Sequence, residues 1–412
     1  MVVRALVRAH PLSRISCRYS SLAASSFNPK PYIPSVSGVQ KSLPFDNLLE
    51  QYSRVHWDDT VTYDDPTVQR LFKNLMSGSR AALASAITLV ESRHPTKRAQ
   101  GNMLLKMVLD EEREKYKKYG RDSMIFRVGI SGSPGVGKSS FIEALGAELT
   151  ENRGKKVAVL TIDPTSAMTG GSVLGDLTRM QELSRNPRAY IRQSPTSGSL
   201  GGVTRGIHEA VILCEGAGYD IVIIETVGVG QSETSVSDMC DMMCLLLSPA
   251  HGDELQGVKR GIMEMSDLLV VTKDDGDLQA KAKMTQAEYI SALKFMRPRL
   301  DVWSPKVMRS SIMNKESVSA VCTSLYEFWD TIGESGDLER RRQDQMKKWM
   351  WNHVKDEIMA VFQKHPKIIH LKNHKIFINL LLQAPKLEKD ISSGKITPGL
   401  AAETMIRTFF GV

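Results

Sequence analysis

Between Phe126 and Arg309, short and nearly continuous apolar runs alternate with stretches whose apolar residues recur every three or four positions. The runs predict strands at Val128–Ser131, Val157–Ile162, Ala189–Gln193, Ile221–Glu225, Met242–Leu247, Leu268–Thr272 and Lys306–Arg309. A strand that is apolar at successive positions is buried on both faces, the habit of parallel sheets covered by helices. The expected class is therefore α/β, with a mostly parallel sheet over 123–332 and helices on both sides. Ahead of it, over 46–122, the pattern is helical: Leu71, Leu75, Ala82, Leu83, Ala86, Leu89 and Val90 recur at three- and four-residue steps. A second amphipathic helix is expected from Ala99 to Tyr119, with Met103, Leu104, Met107 and Leu109 on its apolar side and Gly120 ending it. Behind the sheet, over 333–412, a long helix from Glu339 to Lys364 opens on Arg340, Arg341 and Arg342 and carries Met346, Trp349, Met350 and Trp351. Shorter helices are expected around 376–387 and 398–410. Tryptophans at this density fit either an exposed surface that meets a partner, such as another copy of the chain, or packing onto the central α/β region.

Composition changes this picture in one respect. At 412 residues, 42% apolar and 24% charged, the chain reads as soluble, with two or three domains and no stretch near the roughly 18 apolar residues of a membrane span. The formal charge of +8 looks like a nucleic-acid signature but is concentrated at one end. Residues 1–45 hold Arg4, Arg8, Arg14, Arg18, Lys30 and Lys41 and no acid, which leaves only about +2 for the rest. A Ser- and Arg-rich, acid-free leader reads as a mitochondrial transit peptide with a disordered lead, so the expected compartment is the mitochondrial matrix. Among the five cysteines no C-x-x-C occurs. Buried structural thiols are expected, in keeping with a reducing compartment.

The chemistry begins at Gly132-Ser133-Pro134-Gly135-Val136-Gly137-Lys138-Ser139, a complete G-x-x-x-x-G-K-[ST] between a predicted strand and a predicted helix. Its glycines let backbone N–H groups turn inward around phosphate oxygens, and the helix that follows, with Ser140 in its first turn, adds its positive dipole end. Lys138 is placed to reach the β- and γ-phosphates, and the Ser139 hydroxyl to ligate Mg²⁺. The segment Glu225-Thr226-Val227-Gly228 has the shape of the D-x-x-G switch that senses a γ-phosphate, with Glu225 as a metal carboxylate and the Gly228 N–H approaching the phosphate. Thr272-Lys273-Asp274-Asp275 resembles the N-K-x-D guanine reader: Asp275 would accept from guanine N1 and N2, donors that adenine lacks. The same residues also read as a solvated acidic turn. Asp163, at a strand end, and Asp176, in a polar Gly-rich loop, are further Mg²⁺ candidates, though either is unexceptional as a surface turn residue.

Taken with Asp-Pro-Thr-Ser at 163–166, Gly-Gly-Ser-Val-Leu-Gly-Asp at 170–176, Glu-Thr-Val-Gly-Val-Gly-Gln-Ser-Glu at 225–233 and Gly-Asp-Glu-Leu-Gln-Gly-Val-Lys-Arg-Gly at 252–261, these motifs resemble the MeaB/ArgK-type G-proteins. The resemblance implies a P-loop GTPase that binds GTP and GDP with Mg²⁺ and acts as chaperone to methylmalonyl-CoA mutase. Nucleotide state would gate adenosylcobalamin loading and protect or rescue that enzyme. It also implies a homodimer with 333–412 as its dimerisation arm, and a metal site ringed by Asp163, Asp176 and Glu225. Residues 252–259 correspond to a third switch, with Gln256 and Lys259 entering the nucleotide site in the activated complex. The purine edge falls on Ser311, Ile312 and Met313, where the family carries a Ser-Ala-like pair. Residues 314–323 then read as an insertion, and His251 replaces a usual Gly. Val229 follows Gly228 where Ras-like proteins place a water-orienting Gln, so hydrolysis is expected to be slow until a partner engages. The rival readings are a P-loop kinase, which would need an acceptor pocket and a base, and a metal-delivery GTPase, which would need His-rich or paired-Cys segments. No D-x-H-x-x-G cobalamin signature occurs, so the corrinoid is expected on the partner.

Overall fold

The computed structural model describes residues 58, 60–92, 94–163, 180–195, 200–226, 236–249 and 260–364. The leader expected over 1–45 and the helices expected around 376–387 and 398–410 lie outside the described residues. Seven parallel strands form one sheet in the order β3-β2-β4-β1-β5-β6-β7. They are β1 (Phe126–Gly132), β2 (Val157–Asp163), β3 (Ala189–Pro195), β4 (Ile221–Thr226), β5 (Met242–Leu247), β6 (Leu268–Val271) and β7 (Lys306–Arg309). Every predicted strand is present, most of them extended by a residue or two at the ends. Along β4 the two faces alternate as a strand requires: Val222 and Ile224 join one core, Ile221 and Ile223 the other.

The helices preceding the sheet are α1 (Pro66–Met76), α2 (Arg80–Val90) and α3 (Pro95–Tyr119). The Asp65 carboxylate caps α1 by accepting from the N–H groups of Thr67 and Val68, with Pro66 at the first turn. The Ser79 hydroxyl caps α2 at Ala82 N. Gly120, at φ 59° and ψ −140°, ends α3 as expected, with a positive φ that suits a residue lacking a Cβ. The buried face of α3 is Gly101, Leu104, Leu105 and Val108. Leu109 is exposed: the stripe advances in three- and four-residue steps from Leu104 and Leu105 to Val108, which corrects the expected face. These helices share one core with α6 (Leu200–Gly216) and one face of the sheet through Ile87, Leu104, Ile207, Val211 and Leu160.

On the opposite face lie α4 (Lys138–Ala147) and α9 (Lys315–Glu334), which meet through Phe141, Leu145, Val321, Leu325 and Phe328. Residues 314–323 are therefore the cap and first half of a packed helix. Asn314 caps α9 at Glu316 N and Ser317 N, and Val318, Val321 and Cys322 are buried. The short helices α5 (Gln181–Arg185) and α7 (Arg260–Met265) and the longer α8 (Gln279–Leu293) complete the cover, with α8 packing Ala282 and Tyr289 over β6.

The final helix, α10 (Asp337–Lys364), is anchored where the strands begin. Arg342 pairs with Asp241 at 2.6 Å and Glu215 at 3.4 Å, and Arg127 of β1 pairs with Glu215 at 2.8 Å. The Asp241 side chain is completely buried. Burial opposes its charge, but the Arg342 guanidinium, helped by Arg127, holds the carboxyl below the usual carboxylate range. Trp349 stacks on His208 of α6 with ring centres 3.7 Å apart and donates its indole N–H to the Asp238 carbonyl. Of the two readings of the tryptophan-rich helix, packing onto the sheet domain holds for Trp349, which is buried. Among the described residues, no helix is long and apolar enough to cross a membrane.

Candidate nucleotide site

Strand order reverses about β1, with β4 on one side and β5 on the other, and a parallel sheet opens its ligand crevice at the carboxyl ends at such a point. The segment 132–139 sits there. Gly135 and Gly137 have φ of 81° and 95°, a region costly for any residue with a Cβ, and a Cβ built on either meets nothing within 4 Å. The loop is thus curled around open space, with α4 starting at Lys138 behind it. Inside the curl, Lys138 donates from Nζ to the carbonyls of Gly132 at 2.7 Å and Ser133 at 3.2 Å.

Beneath the loop, Ser139 Oγ lies 3.1 Å from Glu225 Oε1 at the end of β4. Glu225 is buried, and β1–β4 register pairs it with Ile130. A hydroxyl and a carboxylate converging at the loop's base form an oxygen donor pair suited to a hard divalent cation. Beside them, Thr226 donates from Oγ1 to the Ser131 hydroxyl at 3.0 Å and fixes the strand ends. Asp163 ends β2, the strand next to β4. Asp176, Gly228, Gln256 and Lys259 lie outside the described residues, as do His251 and Val229.

The base-reading segment is fastened to the phosphate loop by two bonds that sequence reasoning missed. Thr272, which departs from the usual Asn, is buried and donates from Oγ1 to the Val136 carbonyl at 2.8 Å. Lys273 adopts φ 57°, unusual for a side chain with a Cβ, and its ammonium reaches the Gly135 carbonyl at 2.8 Å. The available signal was a hydroxyl and a long cation at the end of an apolar strand, two strands from the loop. The Asp275 carboxylate accepts from the Ser311 hydroxyl, which in turn accepts from Met313 N at 3.1 Å. Asp274 is held by Arg309 at 3.0 Å. The pair Asp274-Asp275 is thus braced by Ser311 and Arg309, with Asp275 still exposed to solvent. Ile312 and Met313 expose apolar side chains beside it, and Pro134 and Ser140 are exposed at the loop.

The resulting arrangement offers a phosphate cradle, a divalent-cation corner and a carboxylate that accepts paired donors. The model of the family described as "Methylmalonyl Co-A mutase-associated GTPase MeaB" matches residues 83–367. The chain is 90% identical over 412 residues, all of both chains, to a Caenorhabditis elegans protein named "Methylmalonic aciduria type A homolog, mitochondrial". It is 51% identical over 342 residues to the mouse protein of that name, covering 83% of this chain and 79% of the relative. Among solved structures it resembles the crystal structure of LAO/AO transport system kinase, with TM-score 0.63 and 30% identity over 85% of this chain and 100% of that one. A phosphate loop, a braced carboxylate at the base edge and a family match spanning both lead to one statement: the chain belongs to the methylmalonyl-CoA mutase-associated GTPases of the MeaB family.

Proposed function

We propose that this GTPase is a guanine-nucleotide switch that holds its GTP with Mg²⁺ and works on methylmalonyl-CoA mutase in the mitochondrial matrix. In this reading GTP and GDP set two states, and the GTP state gates loading of adenosylcobalamin into the mutase and protects or reactivates it. The observation that carries it is the Ser139–Glu225 pair at 3.1 Å beneath the phosphate loop, joined through Thr272 and Lys273 to the Asp275 edge. Mg²⁺ fits this corner because both donors are oxygens, with Asp163 and Asp176 proposed to complete the ring. The cation would neutralise charge between the β- and γ-phosphates. Lys138, Gln256 and Lys259 are proposed to steady the transferring phosphoryl group, the last two when the mutase is engaged. A homodimer through 333–412 is part of the proposal, as is a matrix location, for which the relatives' mitochondrial names and the leader's composition speak.

The test is GTP turnover by the purified chain alone and with methylmalonyl-CoA mutase. We expect slow turnover alone and acceleration of at least about tenfold in the complex, a threshold set below the roughly 10³–10⁵-fold that an arginine finger supplies. Equal rates would remove the partner from the mechanism. The name of the solved neighbour raises a second reading, phosphoryl transfer to an acceptor. Label from γ-³²P-GTP appearing in inorganic phosphate, and on no protein or small molecule, decides for hydrolysis.

A further inference from the structure

Away from the phosphates, at the outer edge of the sheet, a cavity of about 340 Å³ opens between α7, the end of α8 and the loop leading into β7. Its floor is apolar: Met263 of α7, Ile290 and Leu293 of α8, and Pro305 and Val307 beside the edge strand. Its rim is cationic. Ile290 and Leu293 form an apolar stripe on the last turn of α8, Lys294 is the residue that caps the helix, and Arg297 follows four residues beyond the helix end, so two positive charges stand at the end of the apolar stripe. Neither Lys294 nor Arg297 has an ion-pair partner among the described residues, and Glu264 is the single carboxylate on the lining. Next to the cavity Phe295 is 85% exposed, the highest exposure of any large apolar side chain described, and Ile290 is 42% exposed. A monomer seldom leaves such an apolar stripe open beside two unbalanced cations.

We propose that this groove is a docking surface for the mutase, and that it takes an acidic amphipathic helical segment. Apolar side chains of that segment fill the floor, and its carboxylates meet Lys294 and Arg297. This rests on the reading of methylmalonyl-CoA mutase as partner. The groove is also wired to the guanine edge. Gln286 of α8 donates to the carbonyl of Val307, a lining residue, at 2.8 Å and accepts from Arg309 Nε at 3.0 Å. Arg309 in turn grips Asp274, the neighbour of Asp275, at 3.0 Å. A ligand that shifts α8 against β7 therefore acts on the loop that reads the base, and by linkage the base acts back on the groove.

The experiment is calorimetric titration of methylmalonyl-CoA mutase with the wild-type chain and two variants, Lys294→Glu/Arg297→Glu and Ile290→Asp, in GDP and in a non-hydrolysable GTP analogue. Both variants alter exposed positions, so their melting temperatures and GTP affinities are expected to match wild type. We expect at least about tenfold weaker mutase binding by each, and a shallower salt dependence for the charge-reversed one. Undiminished binding by both, with wild type binding normally, overturns the groove and leaves the partner standing. Failure of the wild type to bind in either nucleotide overturns the partner itself. Loss of self-association with mutase affinity retained assigns the groove to a second copy of this chain and also overturns the proposal.

Discussion

At the scale of single residues, the nucleotide site proposed above rests on Asp275 and Thr272. Asp275 is an acceptor held in place by the Ser311 hydroxyl, and the donors it would meet on guanine become an acceptor-bearing edge in xanthine. Asp275→Asn exchanges an acceptor oxygen for a donor, so preference should pass from GTP to xanthosine triphosphate. Competition of the two nucleotides for a fluorescent analogue measures this, and an unchanged preference for GTP would remove Asp275 from base reading. Thr272 illustrates a departure from a motif that keeps its mechanical work. Its hydroxyl bridges the carbonyls of Val136 and Leu247, tying the phosphate loop to β5 and β6. Thr272→Val keeps the volume and deletes the bridge, leaving a buried carbonyl short of its donor at a cost of about 1–3 kcal/mol. A lowered melting temperature together with weaker GTP binding is the expected outcome; loss of neither would make the bridge incidental. By side-chain identity Thr272 is only a departure from the motif's Asn; the bond it makes depends on where β6 ends relative to the loop.

At the scale of elements, the strands were legible because parallel strands buried on both faces must be apolar at successive positions, as in Met242–Leu247, buried throughout and found with the expected bounds; the edge strand Lys306–Arg309 also has its expected bounds, with only Val307 buried. Helix faces were less so. Leu109 was expected on the apolar side of α3, yet it is Val108 that turns inward where α3 packs against α6. Residues 314–323 read as an insertion by motif; what they form is a helix, opened by Asn314 as an ordinary cap ahead of Glu316 and bringing Val318 and Val321 into the core. The anchor of α10 could not be read at all, since Arg342 and Asp241 stand 101 residues apart. Removing Arg342 leaves the Asp241 carboxylate buried without its main partner. Arg342→Ala should therefore destabilise the chain by about 3–5 kcal/mol, seen as a lower urea midpoint. A midpoint equal to wild type would mean that Arg127 and the backbone suffice for Asp241.

At the scale of the whole molecule, the same anchor sets a response to acid. Asp241 has a folded value below the ordinary carboxylate range, so the unfolded chain takes up its proton first as pH falls. Its contribution is complete above the unfolded value near about pH 4 and disappears as pH drops through the lower folded value. Wild type should lose stability steeply in that window, and Asp241→Asn should flatten the slope. An unaltered slope would place the acid sensitivity in other carboxylates. The four buried cysteines play no part in such a response near neutrality, because burial raises the thiols of Cys240 and Cys244 to about 12 and Cys322 to about 11, and pushes Cys214 up as well. One feature of α10 bears on how a signal could leave the sheet. Its first turns are bolted to the strand beginnings through Arg342, and Trp349 is clamped flat against His208. The rod is thus welded along nearly its first half, so any bending must have its fulcrum beyond Trp349. A load gripped further out keeps a fixed bearing on the far end of the sheet, where the phosphates are read.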